Sequence, residues 1–544
     1  MRISRASALF ALLTALLVLA LAHPLAQVFW RSLHSREGSF VGLANFQSYF
    51  ATPQLALAFL NTLGAALLTT LITVALALVL AFALTHSRVA GGGLCRMAAM
   101  LPMFVPSFFP AMGLIYLFGE QGAISWMLGG RSLYGPIGVV MGSVIYTLPF
   151  ASLLLIGALR EIDQNLYLAA RGLGAGAIRR FFTVTLPGAS YALISAGIVV
   201  FTLTVADFGI PKVLGGNFSM LSTEIFKQVV GMQNFPIGAT VSMVLLFPVI
   251  PAFLLDAWAN RRALRRRLAS RAGKAKLNPG PGPLRDAACT LAAWLVAFLP
   301  LGVTLMLVLA SLVSFWPYSL DLSLANYSFE QTIYGLEPYL NSLQLALLVA
   351  VTGVILTFSG AYIAQRVAVA PLLRALYRFL AILPLCVPGT VLGLAYVFAF
   401  NQGGGMLGTL LATGMTLMVL NTVVHVYPVC HLNFSDSLAR LDRAYEAAGA
   451  SLGAGRACTL RRVIIPMQGR AVLEVFFYLF VSALTTISAL VFIYPARYTP
   501  ASVAMLQMFD SGLMGEASAM GVLILLTALG LRLFINILQK YFCR

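Results

Sequence analysis

Residues 57–85, LAFLNTLGAALLTTLITVALALVLAFALT, run without a charged side chain. A helix of about 20 apolar residues crosses a hydrocarbon layer of roughly 30 Å, so this stretch predicts a membrane span. The same kind of block recurs on both sides of it. Spans are predicted at 8–30, 57–85, 95–118, 136–158, 188–211 and 237–258, and again at 287–314, 339–366, 374–400, 406–432, 470–495 and 516–538. The opening block has features of a secretory signal, with Arg2 and Arg5 ahead of Ala20-Leu21-Ala22. It runs on past His23 and Pro24 to Trp30, however, and the second series opens with an equivalent helix, so it is read as a span. Of the 544 residues 60% are hydrophobic and 10% charged, where a soluble domain carries about 25% charged residues. Too little polar surface is available to cover a water-soluble globule. A soluble enzyme, a disordered chain and a fibrous protein are excluded, and the fold expected is an all-α polytopic membrane protein of about twelve spans.

Lys and Arg number 35 against 17 Asp and Glu, a net charge of +18. With the N-terminus in the cytoplasm, the outer loops hold only Arg31, Arg36, Arg131, Lys212, Lys227 and Arg497. The excess is therefore a topology signal and an attraction to anionic membrane lipid, and nucleic acid is not an expected partner. The basic stretch 260–286, with Arg261, Arg262, Arg265, Arg266, Arg267, Arg271, Lys274, Lys276 and Arg285 around a Pro-Gly run, reads as a cytoplasmic linker. It divides a first transmembrane half, 1–259, from a second, 287–544. The six cysteines form no C-x-x-C pair and the five histidines are scattered, so no metal site is expected.

The two halves match at a nearly fixed offset. Leu43-Ala44-Asn45-Phe46 returns as Leu324-Ala325-Asn326-Tyr327, and Asn61-Thr62-Leu63 as Asn341-Ser342-Leu343. Leu101-Pro102 with Val105-Pro106 returns as Leu383-Pro384 with Val387-Pro388, and Gly174 and Pro187 return as Gly453 and Pro466. Anchors in one order identify a tandem duplication. An even number of spans in each unit makes the repeats parallel, as in many transporters.

The most informative segment follows the fourth span of each repeat. Leu168-Ala169-Ala170-Arg171-Gly172-Leu173-Gly174 leads through Arg179-Arg180 to Pro187, and Glu446-Ala447-Ala448-Gly449-Ala450-Ser451-Leu452-Gly453 leads through Arg461-Arg462 to Pro466. Paired alanines favour a slim helix, the glycine permits a turn or a close backbone approach, and proline suits the first turn of the next helix. These residues resemble the EAA loop of binding-protein-dependent ABC importer permeases: Glu-Ala-Ala, three residues, Gly, then nine residues and an Ile-x-Leu-Pro ending. The resemblance implies that Ala169, Ala170, Gly174 and Pro187, and Glu446, Ala447, Ala448, Gly453 and Pro466, form two coupling helices that seat in separate ATP-binding subunits, two copies in all. It also implies a periplasmic substrate-binding protein and an inner-membrane location. Two departures stand out. Leu168 occupies the family's glutamate position, and Glu446 lies seven residues before its glycine instead of six.

No phosphate-binding loop is present: Gly273-Lys274 is followed by Ala275, so ATP is used by the partner and this chain needs no cofactor of its own. Asp207, near the outer end of the fifth span, is a candidate for the substrate pathway or for an ion pair with Lys212, and Glu474 for a pair with Arg470 four residues earlier. The outer segment Ala206 to Met243 is similar to that of permeases for 2-aminoethylphosphonate, while those for ferric iron and thiamine are similar in length and duplication. A membrane-embedded enzyme would require a convergent cluster of titratable groups, and none is visible. An ion-gradient-driven transporter is disfavoured by the scarcity of intramembrane charge.

Overall fold

The computed structural model describes residues 5–269, 279–280, 282–333, 335–400 and 414–542. In the first repeat come α1 (Ser7–Ser32), α2 (Pro53–His86), α3 (Gly92–Met100), α4 (Phe108–Phe118), α5 (Pro136–Arg160), α6 (Gln164–Gly172), α7 (Leu186–Ala206), α8 (Gly209–Leu214), α9 (Leu221–Phe226) and α10 (Phe235–Ala269). The second begins with α11 (Pro283–Leu312) and a small antiparallel hairpin of β1 (Val313–Phe315) and β2 (Ser319–Leu322). It continues with α12 (Glu337–Arg366), α13 (Pro371–Ile382), α14 (Gly389–Phe400), α15 (Met415–Arg440), α16 (Ala444–Ser451), α17 (Gly469–Thr485), α18 (Ala501–Asp510) and α19 (Met514–Phe542). Among the described residues nine helices are long and apolar enough to cross a membrane, or twelve if each of three bent pairs counts as one span.

The spans expected at 95–118 and 374–400 are not straight. Their two arms are bent by 110° and 116°. The cause is the proline pair shared by the repeats. Val105, before Pro106, is extended at φ −133° and ψ 159°, and Val387, before Pro388, at φ −110° and ψ 109°. A proline pushes its predecessor out of the helical region and offers no N–H to the helix before it. The fifth span ends at Ala206 instead of 211, and the eleventh at Thr485 instead of 495. Of the tenth, expected at 406–432, α15 runs from Met415 to Arg440, and 401–413 lie outside the described residues. The core of the basic linker, 270–278 and 281, also lies outside them. Its expected ends at 260 and 286 fall within α10 and α11.

The chain forms two compact units, Leu33–Asn326 and Met1–Ser32 with Tyr327–Arg544. This differs from the expected division at 259 and 287, because the first span of each repeat is built into the unit made by the other repeat's spans. In the unit that holds Tyr327–Arg544, α1 buries Phe10 against Tyr377, with ring centroids 4.6 Å apart. A π-helical stretch at Val18–Ala22 accompanies a 2.7 Å hydrogen bond donated by Tyr396 Oη to the Ala20 carbonyl. In the unit Leu33–Asn326, α11 lies on α4 so closely that a Cβ on Gly113 would stand 2.5 Å from Val303 Cγ1. Trp294 Nε1 donates to the Ala90 carbonyl at 3.0 Å.

Each unit repeats the other's internal fastenings. Thr62 Oγ1 accepts the Leu221 amide at 2.9 Å and Ser342 Oγ the Ala501 amide at 2.7 Å, while Ser222 donates to the Asp207 carbonyl and Ser502 to that of Thr486. At one tight approach the residue types are exchanged. A Cβ on Gly209 would meet Ser107 Oγ at 2.6 Å, and a Cβ on Gly389 would meet the Ser488 hydroxyl. Ser107 and Gly209 in one repeat stand where Gly389 and Ser488 stand in the other, so each crossing has room for one hydroxymethyl group.

Candidate functional site

Both expected loop helices form, and they are closed in the same way. Asp163 Oδ1 accepts the Asn165 amide and Asp442 Oδ1 the Ala444 amide, each at 3.0 Å, which satisfies a free donor at the helix start. At the other end Gly174 has φ +74° and Gly453 φ +73°. The Ala170 carbonyl accepts the Ala175 amide and the Gly449 carbonyl the Ala454 amide, both at 2.9 Å. Gly174 N donates to Arg171 and Gly453 N to Ala450, both at 3.0 Å. This is a left-handed helix stop, the conformation for which glycine carries no Cβ penalty. The sequence left open whether these glycines serve a turn or a close approach. Nothing in this chain lies within 4 Å of a Cβ built on either one, so within the chain it is the turn that requires them.

The alanine carbonyls contribute to the closure: Leu173 N donates to Ala169 and Leu452 N to Ala448, while Ser451 Oγ donates to Ala447. Beyond each loop a short helix and a π-helical segment, Phe181–Thr185 or Leu460–Ile464, lead to Pro187 or Pro466 in the first turn of the next helix. There the repeats part. Ala177–Ala206 passes as one span, whereas Arg456–Met467 and Gly469–Thr485 are bent by 72°.

Neither α6 nor α16 buries a single residue. Leu173 and Leu452, the residues before the two glycines, are each 86% exposed, and Leu168 is also exposed. A pair of capped helices that present leucine at matched positions and bury none of their own residues has the character of a docking surface. The expected ionic part of that surface is placed elsewhere. Glu446 Oε2 faces Arg366 Nη1 of its own unit at 3.7 Å, and the register-equivalent residue in the first loop is Tyr167.

The other expected site residue, Asp207, ends α7 and caps α8. Its Oδ2 accepts the Ile210 amide at 2.9 Å, and the Gly209 and Phe208 amides and the Ser107 side chain also bond to it. Thr486 holds the corresponding place in the second repeat. Glu474 takes Arg532 at 2.7 Å and Gln539 at 3.0 Å, both from α19, as its close partners in place of a bond to Arg470. A pairing across 58 residues leaves no trace in local spacing. The sequence marked His425 as a packing or hydrogen-bonding histidine but not the polar group it forms on α15 with the buried Asn421 and Thr422: each of the three has a polar side-chain atom without a hydrogen-bond partner. Their signal was three polar residues on adjacent turns of a span.

Duplicated apolar spans, each repeat with an exposed capped helix between its fourth and fifth, are the framework of a duplicated membrane permease. The family model for the binding-protein-dependent transport system inner membrane component matches residues 73–265 and 357–544, and the chain belongs to that family. It is a multi-pass inner-membrane protein. Among its relatives is the ferric transport system permease protein FbpB of Actinobacillus pleuropneumoniae, 26% identical over 84% of this chain and 68% of its own length. The spermidine/putrescine transport system permease protein PotB of Haemophilus influenzae is 28% identical over 47% of this chain and 91% of its own length. The molybdenum transport system permease protein ModB of Azotobacter vinelandii is 30% identical over 37% and 92%. These relatives are transport permeases, not enzymes.

Proposed function

We propose that this chain is the transmembrane subunit of an ABC importer, which passes a small solute from a periplasmic binding protein to the cytoplasm. Two ATP-binding subunits drive it, one seated on α6 and one on α16. The observation that carries this reading is the matched closure of the two loops, Asp cap to left-handed glycine, with Leu173 and Leu452 exposed beside it. In this mechanism ATP-driven movement of the partners enters through Ala169, Ala170, Gly174 and Pro187 in one repeat, and through Ala447, Ala448, Gly453 and Pro466 in the other. The capped helices move as rigid levers because both of their ends are closed by hydrogen bonds. Asp207 belongs to the frame at the outer end, where it fixes the start of α8.

Ferric iron, handed over by the binding protein, is the cargo that the relatives favour. The ferric permease aligns with most of the chain, whereas the polyamine and molybdenum permeases align with less than half of it. The outer segment that suggested 2-aminoethylphosphonate does not support that substrate. Ile210, Leu214, Leu221 and Ile225 are fully buried there, so much of its pattern serves packing.

The test is to purify the cognate binding protein, measure its binding of ferric iron, 2-aminoethylphosphonate and thiamine, and then measure uptake of each with this chain deleted. Iron binding together with loss of iron uptake is expected. Binding of either organic solute without iron would replace the cargo and leave the importer standing. No dependence of any uptake on this chain would remove the importer reading.

A further inference from the structure

The second span of each repeat ends on a side chain that reaches the coupling helix of the same repeat. In the unit Leu33–Asn326, His86 is the last residue of α2, and its Nε2 lies 2.8 Å from Tyr167 Oη on α6. His86 Nδ1 is 2.8 Å from Thr85 Oγ1, and Tyr167 Oη is 3.0 Å from Thr185 Oγ1 at the end of the π-helical segment. Phe82, one turn back, stacks on the imidazole with centroids 4.5 Å apart. In the other unit Arg366 is the last residue of α12, and it faces Glu446 on α16.

His86 and Arg366, and Tyr167 and Glu446, are related by the same spacing as Asn61 with Asn341 and Gly174 with Gly453. The positions are equivalent and the chemistry is not. His86 and Tyr167 form a direct hydrogen bond at ordinary length. Arg366 spends Nη2 on the Leu438 and Leu441 carbonyls at the end of α15, while its Nη1 stands 3.7 Å from Glu446 Oε2. Arg366 Nη1 and Glu446 Oε1 make no hydrogen bond, and the Tyr362 hydroxyl, one turn before Arg366, also bonds to the Glu446 side chain. The Arg366 side chain is only 4% exposed. Glu446 is a quarter exposed, so only the arginine side of the pair is buried. Contact through charge at 3.7 Å is weak static glue, because the desolvation of Arg366 offsets much of the attraction. Charge attraction falls off slowly with distance, however, so such a pair persists through a shift that would break a hydrogen bond.

We propose that His86–Tyr167 and Arg366–Glu446 are clasps that make each second span follow its coupling helix, the first a rigid clasp and the second a compliant one. This rests on the reading of α6 and α16 as ATPase docking helices. Arg366 and Glu446 act as positioning residues: they transmit movement of the loop to α12 and touch neither solute nor ATP. The first clasp ties three elements together, α2, α6 and the start of the fifth span. The second ties α12 to the end of α15 and to α16, and leaves the loop room to slide.

The experiment uses the full chain with its ATP-binding subunits and binding protein in liposomes, with three readouts: retention of the ATPase on purification, ATP hydrolysis, and uptake per ATP. Glu446→Gln leaves the Arg366 caps on α15 in place. It is expected to keep the complex and hydrolysis while uptake per ATP falls about fivefold, the lower end of ordinary coupling between sites. Tyr167→Phe should lower the same ratio. Arg366→His combined with Glu446→Tyr transplants the first clasp into the second repeat, and should transport better than either single change. Wild-type uptake per ATP in Glu446→Gln, or a double variant no better than its worse single, would overturn the clasp while ATPase retention kept the docking reading intact. Failure of the wild-type chain to retain the ATPase would overturn the docking reading and the clasp with it.

Discussion

The loops at 164–174 and 444–453 share their backbone closure and differ in the side chains that tether them. Both begin on an aspartate cap and end on a glycine at φ near +74°. Yet Tyr167 meets an imidazole where Glu446 meets a guanidinium, and the helix beyond continues in one repeat and bends by 72° in the other. Duplication has preserved what the main chain demands and released what a neighbour can accommodate. A left-handed residue admits glycine and little else, whereas a tether needs only a complementary partner.

The largest expected effect breaks the shared feature. Gly174→Val with Gly453→Val forces a β-branched residue into the left-handed region, at about 1–2 kcal/mol or more for each loop. ATPase retained on the purified chain should fall sharply while its abundance in the membrane holds. The two single changes should be equal, because neither site has a neighbour to clash with. Full retention in the double variant would remove α6 and α16 as docking helices.

The exchanged Ser and Gly positions give the next effect. Gly209→Ser sets a second hydroxymethyl against Ser107 and should cost about 1–3 kcal/mol, read as a lower apparent Tm in detergent. Ser107→Gly in the same chain should restore most of it by copying the second repeat. A double variant less stable than Gly209→Ser would mean that the two crossings are not equivalent.

Loss of either cap should be milder. Asp163→Ala and Asp442→Ala are each expected to cost about 1 kcal/mol, seen as faster amide exchange confined to α6 or α16. Unequal exchange would show that a tether, not the cap, governs one of the loops. Smaller again is Glu474→Gln, which removes a partly exposed pair with Arg532 and should change stability by less than about 1 kcal/mol. A drop of several kcal/mol would show that this pair is buried in the working protein.

The least perturbing test asks whether the compared loops share a side of the membrane. Cysteines in place of Leu173 and Leu452 should label from the cytoplasm when no ATPase is present, and cysteines in place of Gly216 and Glu330 from outside. Labelling of Leu173→Cys and Leu452→Cys from opposite faces would end the comparison.

The membrane class, the duplication, the two loops and the glycines that end them are all legible in the residues. Each of these is local: twenty apolar residues span a bilayer whatever surrounds them, and a left-handed turn selects glycine from its own backbone. The Val-Pro pairs were legible as markers of the repeat, but their bends near 110° were not, because an apolar block conceals a break that leaves its hydropathy unchanged. The three-dimensional packing is what joins α1 to Tyr327–Arg544 and α11 to Leu33–Asn326. It alone turned Glu446 towards Arg366, joined Glu474 to Arg532 and made Asp207 a cap. Partners such as Arg366 and Glu446, separated by 80 positions, are chosen by packing in three dimensions, and no periodicity or spacing rule records that choice.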